Sequence, residues 1–234
     1  MPNKESNYRD ASSLTSWVRY SLYAQIVVAL IMIGSNYLEY QLLSDYQNGV
    51  YTSQEQAVAD GEASDQRQQM VAYLYFAVFI ISGFLILRWI HRSNYNARQL
   101  GAKDMKFTPG WSIGYYFIPI LTLWKPYQAM EEIWKASHNP NDWQSEEASS
   151  ILGLWWLLWI ISNILGHIVF RMSSSANELS ELMNINLMSQ ALEVLTIPLV
   201  LVFLAIVNTV YAAQRSAYQN ADQPIPQPAV AAAE

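Results

Sequence analysis

TPGWSIGYYFIPILTLWKPY, residues 108–127, decides how often this chain crosses a membrane. Its apolar part, residues 111–124, is fourteen residues long. As a helix it would reach about 21 Å at the usual rise per residue, short of a hydrocarbon core about 30 Å thick. Pro119 removes a backbone donor and obstructs the preceding turn, and Pro109, Gly110 and Gly114 loosen the approach to it. A broken stretch of this length is expected to dip into the membrane and return, or to lie along its surface. Either way it begins and ends on one face.

Outward from this stretch, four apolar blocks are long enough to span: residues 17–38, 70–90, 151–170 and 192–213. A spanning segment must satisfy its own backbone hydrogen bonds in hydrocarbon, so each is expected to be helical. The near-neutral mean hydropathy reflects the strongly polar segments between the blocks. The polar start of the chain lacks the short apolar run and small-residue cleavage site of a signal peptide, so the first block reads as an uncleaved anchor.

Orientation follows from the basic residues, which accumulate on the cytoplasmic side. With four crossings, eleven of the 13 Lys and Arg residues share one side, leaving Arg67 and Arg171 for the other. Both termini are therefore expected in the cytoplasm. The predicted organisation is a cytoplasmic tail (1–16), a four-helix membrane domain (17–213) and a disordered Pro/Ala-rich cytoplasmic tail (214–234). Within the domain, residues 39–69 form an acidic external loop and residues 91–150 a cytoplasmic segment. Thr52 with Glu55, and Ser53 with Gln56, read as capping-box pairs for the start of a short external helix ended by Gly61, and Ser64 as the cap of a helix entering the second span. Leu179, Leu182 and Met183 predict a brief amphipathic turn at the outer surface.

After the broken stretch, Pro126 suits the first turn of a helix over 126–137. Tyr127, Met130 and Trp134 follow on one face, with Gln128, Glu131, Glu132 and Lys135 on the other. Such a helix can lie on the cytoplasmic surface, with Trp111, Trp124, Tyr127 and Trp134 at headgroup depth and Lys125 facing anionic lipid. The fold class is thus an all-α integral membrane protein: four transmembrane helices, with a Pro-broken re-entrant or interfacial segment and an amphipathic helix between the second and third.

The run LRWIHRSNYNARQLG (87–101, with the likeness densest over 85–137), followed by Phe117, Pro119, Leu123, Trp124, Pro126, Tyr127, Gln128, Met130 and Trp134 in the pattern FxPxxxLWxPYQxMxxxW, resembles an uncharacterised bacterial multi-pass membrane family, a domain of unknown function. The resemblance implies architecture only; it brings no activity, substrate or cofactor. The acidic external loop and the tails lie outside it.

Chemistry is sparse. GWSIG fits the G-x-S-x-G of a serine hydrolase, but that elbow needs a strand before Ser112 and a helix after it, within a parallel sheet. Pro109 precedes it and no sheet pattern exists, so Ser112 reads as structural. There is no cysteine, His91, His138 and His167 are widely separated, and no H-E-x-x-H occurs, so neither a metal nor a cofactor is implied. A net charge of −6 argues against nucleic acid. Polar residues in spans carry more weight: if their faces converge, Glu39, Asn163, His167, Arg171 and Glu193 form an outer cluster able to receive a small solute or ion. The leading reading is a non-enzymatic inner-membrane protein that contacts lipids, a protein partner or a second copy of itself. The alternative is a small-solute or ion conduit, and a membrane-embedded hydrolase ranks third.

Overall fold

The computed structural model describes residues 7–221, and within them every regular element is helical. Four helices are long and apolar enough to cross a membrane: α1 (Ser12–Gln47), α2 (Gln54–Gln99), α5 (Ser150–Ser173) and α6 (Leu179–Ala221). Between α2 and α5 lie a single turn, α3 (Trp111–Gly114), two 3-10 turns (Tyr115–Phe117 and Leu121–Leu123), and α4 (Lys125–His138). The stretch over 111–124 thus forms turns and no spanning helix. We call the end carrying both described chain ends and the broken segment basal, and the other end distal.

The four long helices alternate in direction. α1 packs along both α2 and α6, and α5 packs on α6, whereas α2 and α5 make at most a marginal contact with each other. The bundle is therefore a horseshoe, α2–α1–α6–α5, with a gap between its arms. Burial follows the same order: α1 and α6 bury 28% and 33% of their most apolar windows, α2 and α5 only 6% and 11%. An apolar surface left open on this scale fits a lipid solvent, in which outward-facing Phe and Ile carry no penalty.

The core sits in the basal half. Trp89 of α2, Leu22 of α1, Ile133 of α4, Leu152 of α5 and Val207 of α6 meet there. Phe203 is its hub, edge-on to Trp89 at 6.2 Å and tilted against Trp155 at 5.5 Å between ring centroids. These are favourable aromatic arrangements. Trp155 is therefore a core residue, and Trp156 stacks on Trp159 at 4.5 Å on the side facing the broken segment.

Several expected boundaries shift. α2 runs unbroken through Gly61 and Ser64. Ser53 does cap its start, accepting from the Gln56 N–H at 3.4 Å. A mid-helix glycine costs only about 1 kcal/mol, which flanking helix and tertiary contact override. Gly61 instead admits a neighbour: a Cβ there would lie 2.8 Å from the Tyr46 hydroxyl, which donates to the Ala57 carbonyl at 2.6 Å. The acidic loop is accordingly mostly helix, turning at residues 48–53. The amphipathic turn at Leu179–Met183 is the first turn of α6, where the Glu181 carboxylate accepts from the Asn177 and Glu178 N–H groups. The expected terminal tail begins helical, since α6 continues to Ala221; the remainder, like residues 1–6, lies outside the described residues.

Candidate functional site

The basal loop is held from both sides. From α2, Asn94 Nδ2 donates to the Phe107 carbonyl (2.9 Å), and Arg98 Nη2 donates to the carbonyls of Met105 (2.9 Å) and Phe107 (2.8 Å). From α4, the Glu132 carboxylate accepts from the N–H groups of Lys106 (2.5 Å) and Phe107 (2.9 Å). Trp143 Nε1 donates to the Lys103 carbonyl at 2.7 Å. Gln214 of α6 ties in the helices themselves, donating to the Ser93 carbonyl and the Ser137 hydroxyl. Burial pushes the Glu132 carboxyl above the ordinary range, opposed by its two backbone donors and by the charges of Arg98 and Lys106. The sequence pattern puts Glu132 on a solvated face; in the structure it is buried, because the 101–110 loop covers that side of α4.

This clamp delivers the chain to the broken segment. The Thr108 carbonyl accepts from the Ser112 N–H at 2.9 Å, and the Ser112 hydroxyl, fully buried, donates to the Pro109 carbonyl at 2.7 Å. Ser112 has the geometry of a turn-stabilising hydroxyl. The reversal itself lies further on. Gly110 and Gly114 have ordinary helical dihedrals, while Ile118 is extended and Ile120 has φ +70° and ψ −55°. The Leu121 N–H reaches the Pro119 carbonyl at 2.8 Å, a three-residue turn of the strained hand. The expected bend residues are thus corrected. Pro119 anchors the reversal and Pro126 opens α4 as expected, but Gly110 and Gly114 are not where the chain bends; glycine permits unusual dihedrals without requiring them. Gly114 answers to packing, since a Cβ would sit 3.2 Å from the Trp111 ring.

Of the expected contact residues, Trp111 and Trp124 are exposed, and Lys125 and Tyr127 partly so. Lys125 Nζ lies 5.6 Å from the Phe107 ring, and Tyr127 leans on Trp156, whose indole N–H donates to the Leu123 carbonyl at 3.1 Å. Trp134 is a correction: it is 8% exposed and belongs to the core, stacked on His138 at 4.6 Å. Helix periodicity gives α4 one apolar face, and that face meets α2 and α6. The most exposed apolar side chains here are Phe117 (71%) and Ile120 (68%), at the tip of the reversal.

The polar residues expected to cluster at the outer end separate into two groups. Glu39 accepts from Gln68 Nε2 (2.5 Å) and Asn186 Nδ2 (3.0 Å), in a distal knot joining α1, α2 and α6. Arg171 is exposed at the end of α5. Neither lines the site formed by the others. Asn163, His167 and Glu193 do line a common space, the gap between α2 and α5.

That gap is a cleft of about 670 Å³. α1 and α6 form its back wall, and Tyr116 and Phe117 of the broken segment contribute to its lining. On α5 it extends from Trp155 to His167 and on α2 from Tyr75 to Leu87, about 18 Å along each at the helical rise. The walls are mostly apolar and aromatic. Gln25 of α1 donates across to the Ser82 hydroxyl of α2, and Asn163 Nδ2 is taken up by the Trp159 carbonyl at 2.7 Å. Three buried polar atoms of the lining residues have no hydrogen-bond partner: Tyr116 Oη, Ser162 Oγ and Glu193 Oε2. Buried polar atoms are nearly always partnered, so three on one apolar cleft form a concentration of unmet bonding capacity. Tyr116 escaped the sequence reading because nothing in a YYF triplet says which tyrosine turns inward.

With four helices long and apolar enough to cross a bilayer, the fold defines an all-α multi-span membrane protein. The model of the Domain of unknown function (DUF4328) family matches residues 53–212, and the chain belongs to that family. The match takes in α2 through α5 and most of α6, more than the resemblance over 85–137 covered. No curated protein and no solved structure matches the chain.

Proposed function

We propose that the protein is a non-enzymatic component of a bacterial inner membrane that takes up an amphiphilic molecule from the bilayer through the gap between α2 and α5. The unpartnered Tyr116, Ser162 and Glu193 atoms on one apolar cleft carry this reading. An apolar body fits the walls, and a hydrogen-bonding group satisfies the orphaned atoms. Pockets of about 300–1,000 Å³ with a few convergent polar groups suit such ligands. In this reading both termini are cytoplasmic, which the distribution of basic residues supports. The broken segment rests in the inner interface, with Trp111, Trp124, Lys125 and Tyr127 among headgroups and Phe117 and Ile120 pointing deeper.

The test uses Gly83, which lines the cleft and has nothing within 4 Å of where a Cβ would be. Gly83→Trp fills the space without displacing a neighbour at the first carbon. Wild-type protein purified in mild detergent should carry a near-stoichiometric amphiphile by mass spectrometry, and Gly83→Trp should lose it. A bare wild type, or equal loading of both proteins, overturns the proposal. A conduit is the second reading, favoured by the polar series His167, Asn163, Ser162 and Tyr116 running down the cleft. It predicts solute flux into proteoliposomes that Gly83→Trp abolishes.

A further inference from the structure

We propose that the molecule held in the cleft is a hydrophobic organic cation, with the Glu193 carboxylate as its counter-charge; this rests on the cleft being a binding site. Glu193 is 6% exposed, lines the cleft, and its Oε2 has no hydrogen-bond partner. The ion pair found among the described residues is Lys135 with Glu131, so no basic side chain compensates Glu193. A carboxylate at membrane depth is costly unless a positive charge meets it. No Lys or Arg lines the cleft, and its other ionisable residues are Tyr75, Tyr116 and His167.

This charge pattern selects among ligands. An anionic amphiphile would meet one carboxylate and no Lys or Arg, so it is disfavoured at the same point where a cation is favoured. A bare metal ion is a poor fit, because hard cations take six or more oxygen ligands, and no metal-holding group of three His, Cys, Asp or Glu residues occurs among the described residues. An organic cation needs fewer polar contacts. It also gains from ring faces, which attract positive charge within about 6 Å, and Tyr75, Phe79, Tyr116, Phe117, Trp155 and Trp159 all line the cleft. One buried carboxylate with an aromatic lining is the chemistry that recognises a charged nitrogen or phosphorus centre wrapped in hydrocarbon.

The probe is tetraphenylphosphonium, with tetraphenylborate as an anion of the same shape. Binding to the full chain in lipid nanodiscs is measured by titration calorimetry, with empty nanodiscs subtracting partition into the bilayer. The cation should bind saturably and at least tenfold tighter than the anion. Glu193→Gln, which keeps shape and removes charge, should weaken the cation at least tenfold while leaving the anion within twofold. Circular dichroism and gel filtration check that the variant is folded. Equal binding of the two ions, no saturable binding of the cation, or a Glu193→Gln effect on the cation under twofold overturns the charge assignment. If an amphiphile still co-purifies with wild type and not with Gly83→Trp, the cleft reading survives that failure. If Gly83→Trp changes neither loading nor probe binding, the cleft reading itself falls.

Discussion

Replacing Glu132 by Ala should open the basal loop and little else. The carboxylate accepts from the Lys106 and Phe107 N–H groups. Hydrogen bonds to a charged group are worth about 1.5–3 kcal/mol each, and an orphaned buried N–H costs about 1–3 kcal/mol. The two bonds do not count in full, because burial of the carboxylate offsets part of the gain, as its raised pKa records. A net loss of about 2–4 kcal/mol follows for the closed loop, which makes the open form about 30- to 700-fold more populated, at tenfold per 1.4 kcal/mol. Limited trypsin digestion of the native protein reads this directly, since Lys103 and Lys106 lie in the loop. When reclosing outpaces cutting, the cleavage rate follows the open population. Glu131→Ala is the control: its partly exposed pair with Lys135, at 2.9 Å, is worth about 0–1 kcal/mol and does not touch the loop. Cleavage after Lys103 and Lys106 within twofold of wild type in Glu132→Ala would refute the clamp.

Three further outcomes follow from the same geometry. Because burial raises the Glu132 pKa, its contribution to stability is greatest below the ordinary glutamate range and declines as pH rises through the folded-state value. The melting-temperature difference between wild type and Glu132→Gln should therefore shift against wild type from pH 4 upward, and a difference that shifts the other way contradicts the assignment. Ile120 has a positive φ and a mostly exposed side chain, so Ile120→Gly should raise thermal stability in detergent by about 1 kcal/mol through relief of backbone strain; a loss instead would show that the side chain packs. The chain has no cysteine, so single cysteines report sidedness cleanly. One at position 135 should react with an impermeant reagent only from the cytoplasmic side and one at position 60 only from outside, and the reverse pattern would invert the proposed orientation.

Much of the architecture was legible because membrane spans are written locally. The four apolar blocks became α1, α2, α5 and α6, each longer than its block, since a helix continues past the hydrocarbon wherever caps and neighbours support it. Pro126 opened α4 and Ser53 capped α2 as their residue types suggest. Gly61 was misleading because a glycine marks either a break or a close approach, and only the position of Tyr46 distinguishes them. Trp134 was misread for a related reason: periodicity shows that a face is apolar without showing whether lipid or protein covers it.

The sequence by itself determined that the chain forms four spanning helices and that residues 111–124 cannot supply a fifth. Hydrocarbon length and the need to satisfy each backbone N–H and C=O impose this on every segment separately. Only the tertiary structure decided that α2 and α5 stand apart, that Glu39 and Arg171 leave the group that Asn163, His167 and Glu193 form, and that Tyr116 joins it from a loop. Those outcomes depend on how side chains far apart in the chain fill shared space, a property of the packed bundle that no local stretch of residues contains.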